Sequence, residues 1–322
     1  MLMAQTDKGS KKGLKRNLFS SYGTIMAGIL IVIIFSVLSP TSFATIDNVI
    51  NITRQISLLV VIAIGATLVM SVNEFDLSIG AIASLGGVIS AKLAADGVPI
   101  VLCLLIPILV GFIVGVINGS IITHFNVLSF VTTLAMGTVI GGITFWFTGG
   151  STIFENIPEA FKWIGQTNVA GIPLLTIIML VLIVVFWFFM TQMATGRRLY
   201  AIGGNEKAAK VSGIAVNRYK TLAFALCGML AALTGALLSS RLGSAHPTGG
   251  DGYFLNAYAA VFLGMTVARS GVPNIFGTFF GAAILGILAN GLTILQIPTF
   301  LQNVITGVII IIALIMQKLG RE

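Results

Sequence analysis

The sequence predicts an all-α polytopic membrane protein of about ten transmembrane helices, with both termini in the cytoplasm. Three observations predict it. Of 322 residues, 57% are hydrophobic and only 9% are charged, where a soluble domain carries roughly a quarter charged. Mean hydropathy is +1.04. So few charges cannot cover a water-facing surface, so the solvent is lipid and most soluble-enzyme classes are excluded. Second, apolar runs near the roughly 20 residues needed to cross hydrocarbon recur along the whole chain. Third, the basic residues are segregated between alternate loops, as the positive-inside rule requires.

The elements follow in order. A basic cytoplasmic segment over 1–21 precedes a first span at 22–39. Residues 1–44 also have the basic start, apolar core and Ser42-Phe43-Ala44 of a signal peptide. The apolar stretch is long and runs to Ser39-Pro40, which favours an uncleaved helix. Further spans read at 55–72, 77–95, 98–123, 127–148, 172–193, 220–240, 254–268, 275–294 and 299–316. The third is polar at its start and the eighth is short. The transmembrane domain is therefore 22–316, with a cytoplasmic tail over 317–322. Fourteen of the 18 Lys and Arg then fall on one side: Lys8, Lys11, Lys12, Lys15, Arg16, Arg197, Arg198, Lys207, Lys210, Arg218, Lys220, Arg269, Lys318 and Arg321. Only Arg54, Lys92, Lys162 and Arg241 fall on the other. The net charge of +8 is thus read as topology and not as nucleic-acid binding. Cys103 and Cys227 lie in apolar stretches and read as packing residues.

No catalytic motif is present. The chain lacks a phosphate-binding G-x-x-x-x-G-K-[ST], an H-E-x-x-H and a G-x-S-x-G. It reads as a non-enzyme with no catalytic residue, no metal site and no cofactor of its own. Charge inside the spans is nearly absent, which argues against an ion-coupled carrier. The one acidic pair lies in Asn73-Glu74-Phe75-Asp76-Leu77-Ser78-Ile79-Gly80. Asp76 can cap the following helix, accepting from the N–H of Ser78 or Ile79. It can also mark a helix break beside a translocation path, with Phe75 and Ser78 near it; the cap is the preferred reading, and the two are compatible. Glu74 reads as a solvated residue at the inner rim. Small residues recur at helical spacing in Gly111/Gly115/Gly119, Gly137/Gly141 and Gly277/Gly281, which predicts close helix packing. Asn118, Asn256, Asn290 and Gln302 place neutral carboxamides on the spans. Each can line a path for a neutral polyhydroxy solute or bond one helix to another.

The loop over 194–219 carries the strongest local signal. Gly203-Gly204 breaks the chain, Asn205 is a good N-cap, Glu206 favours a first turn, and Gly213 is a good stop. The spacing predicts a helix over 206–212. A helix about 10 Å long is unstable alone in water and needs a surface to rest on. That surface is either anionic lipid, held through Arg197, Arg198, Lys207 and Lys210, or a cytoplasmic protein meeting the small face of Ala208-Ala209. The second reading is preferred.

Gly196-Arg197-Arg198-Leu199-Tyr200-Ala201-Ile202-Gly203-Gly204-Asn205-Glu206, with Ala209 and Ser212-Gly213-Ile214, resembles the coupling-loop signature of ribose-type sugar ABC permeases. Asp76-Leu77-Ser78-Ile79-Gly80 resembles that family's D-L-S-[IV]-G motif, and Arg241-Leu242, Pro247-Thr248, Gly252-Tyr253, Gly277-Thr278 and Asn290-Gly291-Leu292 continue the match. The resemblance runs from about residue 38 to the C-terminus. It implies an ABC importer permease fold in the bacterial cytoplasmic membrane. It also implies a second permease subunit (a copy or a paralogue), a cytoplasmic ATPase that binds ATP and Mg, and an extracytoplasmic sugar-binding protein. ATPase coupling would fall to Gly196, Arg197, Gly203, Gly204, Asn205, Glu206, Ala208, Ala209 and Gly213. The translocation path would fall to Phe75, Asp76, Ser78, Asn118, Asn256 and Asn290. Asn73-Glu74-Phe75 differs from the small or apolar residues expected before the Asp76 motif. Cargo is left open among pentoses, hexoses, polyols and furanosyl sugars, with a nucleoside or a branched-chain amino acid as the alternative class.

Overall fold

The computed structural model describes residues 26, 28–267 and 271–319; the basic segment over 1–21, Arg269 and Arg321 lie outside them. Ten helices occupy the ten predicted stretches. They are α1 (Gly28–Leu38), α2 (Ile46–Met70), α3 (Ile79–Ala95), α4 (Ile100–Phe125), α5 (Ser129–Thr148), α7 (Leu174–Gln192), α10 (Val216–Leu242), α11 (Asp251–Gly264), α12 (Ile275–Ile294) and α13 (Thr299–Leu319). Six of them (α2, α4, α5, α7, α10 and α12) are long and apolar enough to span hydrocarbon by length and composition alone. The chain is an all-α polytopic membrane protein. The second helix starts nine residues before the predicted 55, because Thr45 caps it by accepting from the Asn48 N–H.

Hydropathy does not rank these helices by burial. Of the most apolar stretch of α4 only 22% is buried, whereas 83% of the less apolar stretch of α2 is. The reason is that lipid, like the core, accepts apolar side chains. Leu105, Leu109, Phe130, Leu134 and Trp146 on α4 and α5 are accordingly exposed. Central α10 packs against α4, α3 and α2, and glycine brings the backbones together. A Cβ at Gly115 would overlap the Phe224 carbonyl, and one at Gly235 would overlap the Ala83 carbonyl. The Gly111/Gly115/Gly119 stripe and Gly281, which meets Ala260 of α11, therefore pack as predicted. Gly137/Gly141 does not: nothing lies within 4 Å of a Cβ at Gly141, and one at Gly137 would make only ordinary contact with Ser78.

The connection over 149–173 holds structure that the apolar pattern does not signal. It forms α6 (Glu159–Gln166) and a two-residue hairpin of β1 (Asn168–Val169) and β2 (Ile172–Pro173). Ala170 and Gly171 both have positive φ, as a tight hairpin turn requires. Ser240 Oγ ties α6 down, donating to Phe161 O at 2.6 Å and accepting from Gly165 N at 2.9 Å. The opposite face carries α8 (Ala194–Gly204) and α9 (Glu206–Val211), on the loop whose basic residues the positive-inside rule predicts to be cytoplasmic. A reporter active only outside the cytoplasm, fused after Glu322, is expected to be silent. Strong activity there would overturn the even number of crossings.

Candidate translocation path and docking face

Between α2 and α3 the backbone unwinds over residues 71–78. Apolar surroundings require that each freed N–H be satisfied, and side chains of α5, of α11 and of the segment itself do this for residues 75–78. Phe75 N donates to Ser129 Oγ at 3.4 Å, Asp76 N to Tyr258 Oη at 2.6 Å and Leu77 N to Thr133 Oγ1 at 2.9 Å. Ser78 N donates to the Asp76 carboxylate at 2.9 Å, and Ser78 Oγ donates to the same oxygen at 2.5 Å. The sequence argument anticipates the Asp76–Ser78 bond because it is local. It misses Ser129, Thr133 and Tyr258. The one signal for the first two is their i, i+4 spacing, which puts both hydroxyls on one face of α5.

Asn118 Nδ2 donates to Ser78 Oγ at 2.9 Å, so Asp76, Ser78 and Asn118 form one fully buried polar cluster. Among the described residues, Asp76 Oδ2 and Asn118 Oδ1 of this cluster have no hydrogen-bond donor. None of these three residues lines the two cavities that lie along α11. Phe75 is 38% exposed and stacks on Tyr258 and Phe262, with centroids 5.5 and 6.3 Å away.

Two cavities are each lined in part by α11. The outer one, about 280 Å³, is lined by Gln55, Tyr253, Asn256, Gln302, Asn303 and Thr306. The inner one, about 750 Å³, is lined by Glu74, Phe75, Arg197, Tyr200 and Phe262 among others. Along α11, Tyr253 and Asn256 face the outer cavity, Phe262 faces the inner one, and Tyr258 lies between them. Of the predicted path residues, Asn256 is in the outer cavity with its Nδ2 bonded back to Gly252 O at 2.9 Å. Asn290 is elsewhere. Its carboxamide and that of Asn48 donate to each other at 3.0 Å, binding α12 to α2.

On the cytoplasmic face, Asn205 Oδ1 accepts from Ala208 N at 3.0 Å, and Gly213 has φ of 80°. The cap and stop of α9 are thus the predicted ones, and its last residue, Val211, is one short of the predicted 212. Gly203-Gly204 does not break the chain where expected: both end α8, and the break follows at Asn205. Glycine is needed there because a Cβ at Gly203 would overlap the Ser71 carbonyl, and one at Gly196 would overlap the backbone of Met190. Arg197 Nη1 donates to Gln192 O at 2.9 Å. Ala209 does not sit on an outward face. It is 5% exposed and packs into the chain's own core, whereas Glu206, Lys207, Ala208 and Lys210 are exposed and Val211 is 90% exposed. Glu74 is likewise not a freely solvated rim residue: its side chain is 17% exposed and pairs with Lys220 at 2.6 Å, and Lys220 also meets Glu206 at 2.8 Å.

A family model described as branched-chain amino acid transport system / permease component matches residues 48–314. The chain is 38% identical over 295 residues to the ribose import permease protein of Haemophilus influenzae, covering 91% of each chain. It is 40% identical over 297 residues to the corresponding ribose import permease of Bacillus subtilis, covering 92% of each. It is 35% identical over 319 residues to the D-allose transport system permease of Escherichia coli, covering 98% of this chain and 97% of the relative. No solved structure matches. The ten apolar helices, the capped α9 and these relatives agree: the chain is a multi-pass permease of the bacterial inner membrane and belongs to the ribose-type family of ABC-transporter permeases.

Proposed function

We propose that this chain is the membrane subunit of an ATP-driven importer of a monosaccharide or similar small polyol, delivered by an extracytoplasmic binding protein. Two such subunits, either copies or paralogues, form the pathway, and a separate ATPase binds ATP and Mg. The observation that carries this reading is the pair of separate cavities along α11, one at Tyr253 and Asn256 and the other at Phe262 beside the break at 71–78. Neutral carboxamides and hydroxyls line the outer cavity, and such groups both donate to and accept from sugar hydroxyls while holding no ion strongly. Opening first one cavity and then the other to a shared path is a rigid-body change between two packed states. The Asp76 cluster lines neither cavity and the Glu74 carboxylate at the inner cavity is held by Lys220, so an ion-coupled carrier gains no support.

Docking of the ATPase is assigned to the exposed face of α9. Val211 presents an isolated apolar side chain among Lys207, Ala208 and Lys210, which suits a partner surface that covers it. Lipid-mediated anchoring of the same helix would use the lysines alone. The test is reconstitution in vesicles with the ATPase and binding protein, with ribose, allose and xylose as probes. ATP-dependent uptake of one of them is expected. Uptake that persists with the ATPase inactivated would overturn the reading. Val211→Asp is expected to weaken ATPase capture at least tenfold, about 1.4 kcal/mol, with the chain still inserted. Normal capture would return α9 to the lipid surface.

A further inference from the structure

Lys220, at the start of the second turn of α10, is met by two carboxylates from different elements. Glu74 belongs to the unwound segment 71–78, and Glu206 opens α9. Their distances to Lys220 Nζ are 2.6 and 2.8 Å, and the Lys220 side chain is only 10% exposed. An ammonium this enclosed is tolerated only when paired, and with either carboxylate removed the other still pairs it. An exposed surface pair would contribute little and would be screened by salt. The Glu74 arm is largely shielded whereas the Glu206 side chain is 55% exposed, and the cluster joins positions 146 and 14 residues from Lys220.

A second contact reinforces the connection. The end of α8 rests against the end of α2, where Gly203 leaves no room for a Cβ beside the Ser71 carbonyl. Glu74 is followed directly by Phe75, which stacks on Tyr258 and Phe262 and lines the inner cavity. A continuous set of contacts therefore leads from the first turn of α9, through Lys220 and Glu74, to the aromatic cluster at the break.

We propose that Lys220 is a positioning residue of the transport cycle: it clasps α9 to segment 71–78, so that displacement of α9 by a docked partner is passed to Phe75 at the inner cavity. The proposal rests on the docking assignment above and adds the route by which docking acts. A lysine suits this role because a compact ammonium on a flexible four-carbon stem can hold two carboxylates while their separation changes. Neither Phe75 nor α9 need touch the other.

The test uses the full-length chain in vesicles with the ATPase and binding protein. Glu74→Gln keeps the shape and removes the charge. Chain level and ATPase capture are expected to be unchanged, and ATP hydrolysis stimulated by loaded binding protein is expected to persist. Uptake should fall about tenfold, within the usual range of couplings between sites, so more ATP is consumed per solute. The double variant Lys220→Met with Glu74→Gln removes the enclosed charges and leaves the half-exposed Glu206 on α9 unaltered; it should insert normally, yet show the same uncoupling. Normal uptake in either variant overturns the clasp. Loss of ATPase capture by Glu74→Gln would make the cluster a docking determinant and also overturns it. Absence of ATP-dependent uptake in the unaltered chain would overturn the importer reading itself, a result distinct from the other two.

Discussion

Gly235→Val is expected to prevent the chain from reaching its native packing. Position 235 is where α10 crosses α3 most closely. A Cβ there would overlap the Ala83 carbonyl and come within 2.7 Å of the Gly87 N. Both neighbours are backbone, so no rotamer change relieves the clash. Overpacking a tight core costs roughly 1–3 kcal/mol where side chains can adjust, and more where they cannot. Loss also spreads, because α10 is the helix on which α2, α3 and α4 converge. The expected result is little or no folded chain extracted from membranes, and a melting temperature in detergent well below that of the unaltered protein. Gly142→Ala is the control, since nothing lies within 4 Å of a Cβ there, and its effect should stay within about 0.5 kcal/mol. A Gly235→Val chain that melts with the unaltered protein would mean that α3 and α10 do not cross as described.

Asp76→Leu is expected to be the second large loss. The Asp76 carboxylate accepts from both Ser78 N and Ser78 Oγ in a fully buried site. Leucine offers no acceptor, and each buried donor left unpaired costs about 1–3 kcal/mol. Asn118, which donates to Ser78 Oγ, would lose its anchored partner as well. Asp76→Asn keeps one acceptor oxygen for Ser78, and its amide NH2 supplies a donor in a cluster where Asn118 Oδ1 now has none. Asn is therefore expected to fold and transport, and Leu to do neither, as read by thermal melts in detergent and uptake by reconstituted vesicles. Normal folding with abolished transport in Asp76→Asn would show that the carboxylate charge, and not its hydrogen bonding, serves the cycle. Equal stability of the Leu and Asn variants would remove the structural role assigned to Asp76.

The sequence by itself determined those features whose causes lie within a few residues of one another. The positions of the apolar helices follow from run length, because hydrocarbon imposes a minimum on each crossing. The cap and stop of α9 follow from Asn205 and Gly213, because an N-cap bond spans three residues and a positive φ is set at one. The Asp76–Ser78 bond is local for the same reason. The closeness of α4 to α10 was legible from glycine spacing, but an identical pattern at Gly137/Gly141 packs against no other helix. Only the tertiary structure decided which face of each helix is covered. In lipid an apolar side chain is stable outside the bundle as well as inside it, so hydropathy gives no inward direction; α4 and α2 show this most clearly. The structure also decided every long-range polar pairing: Asn48 with Asn290, Tyr258 with the backbone of Asp76, and Lys220 with Glu74 and Glu206. It turned Ala209 inward and Val211 outward on a helix whose capping was otherwise as expected. A buried polar group must find a partner, but which partner depends on how helices distant in sequence come to lie side by side.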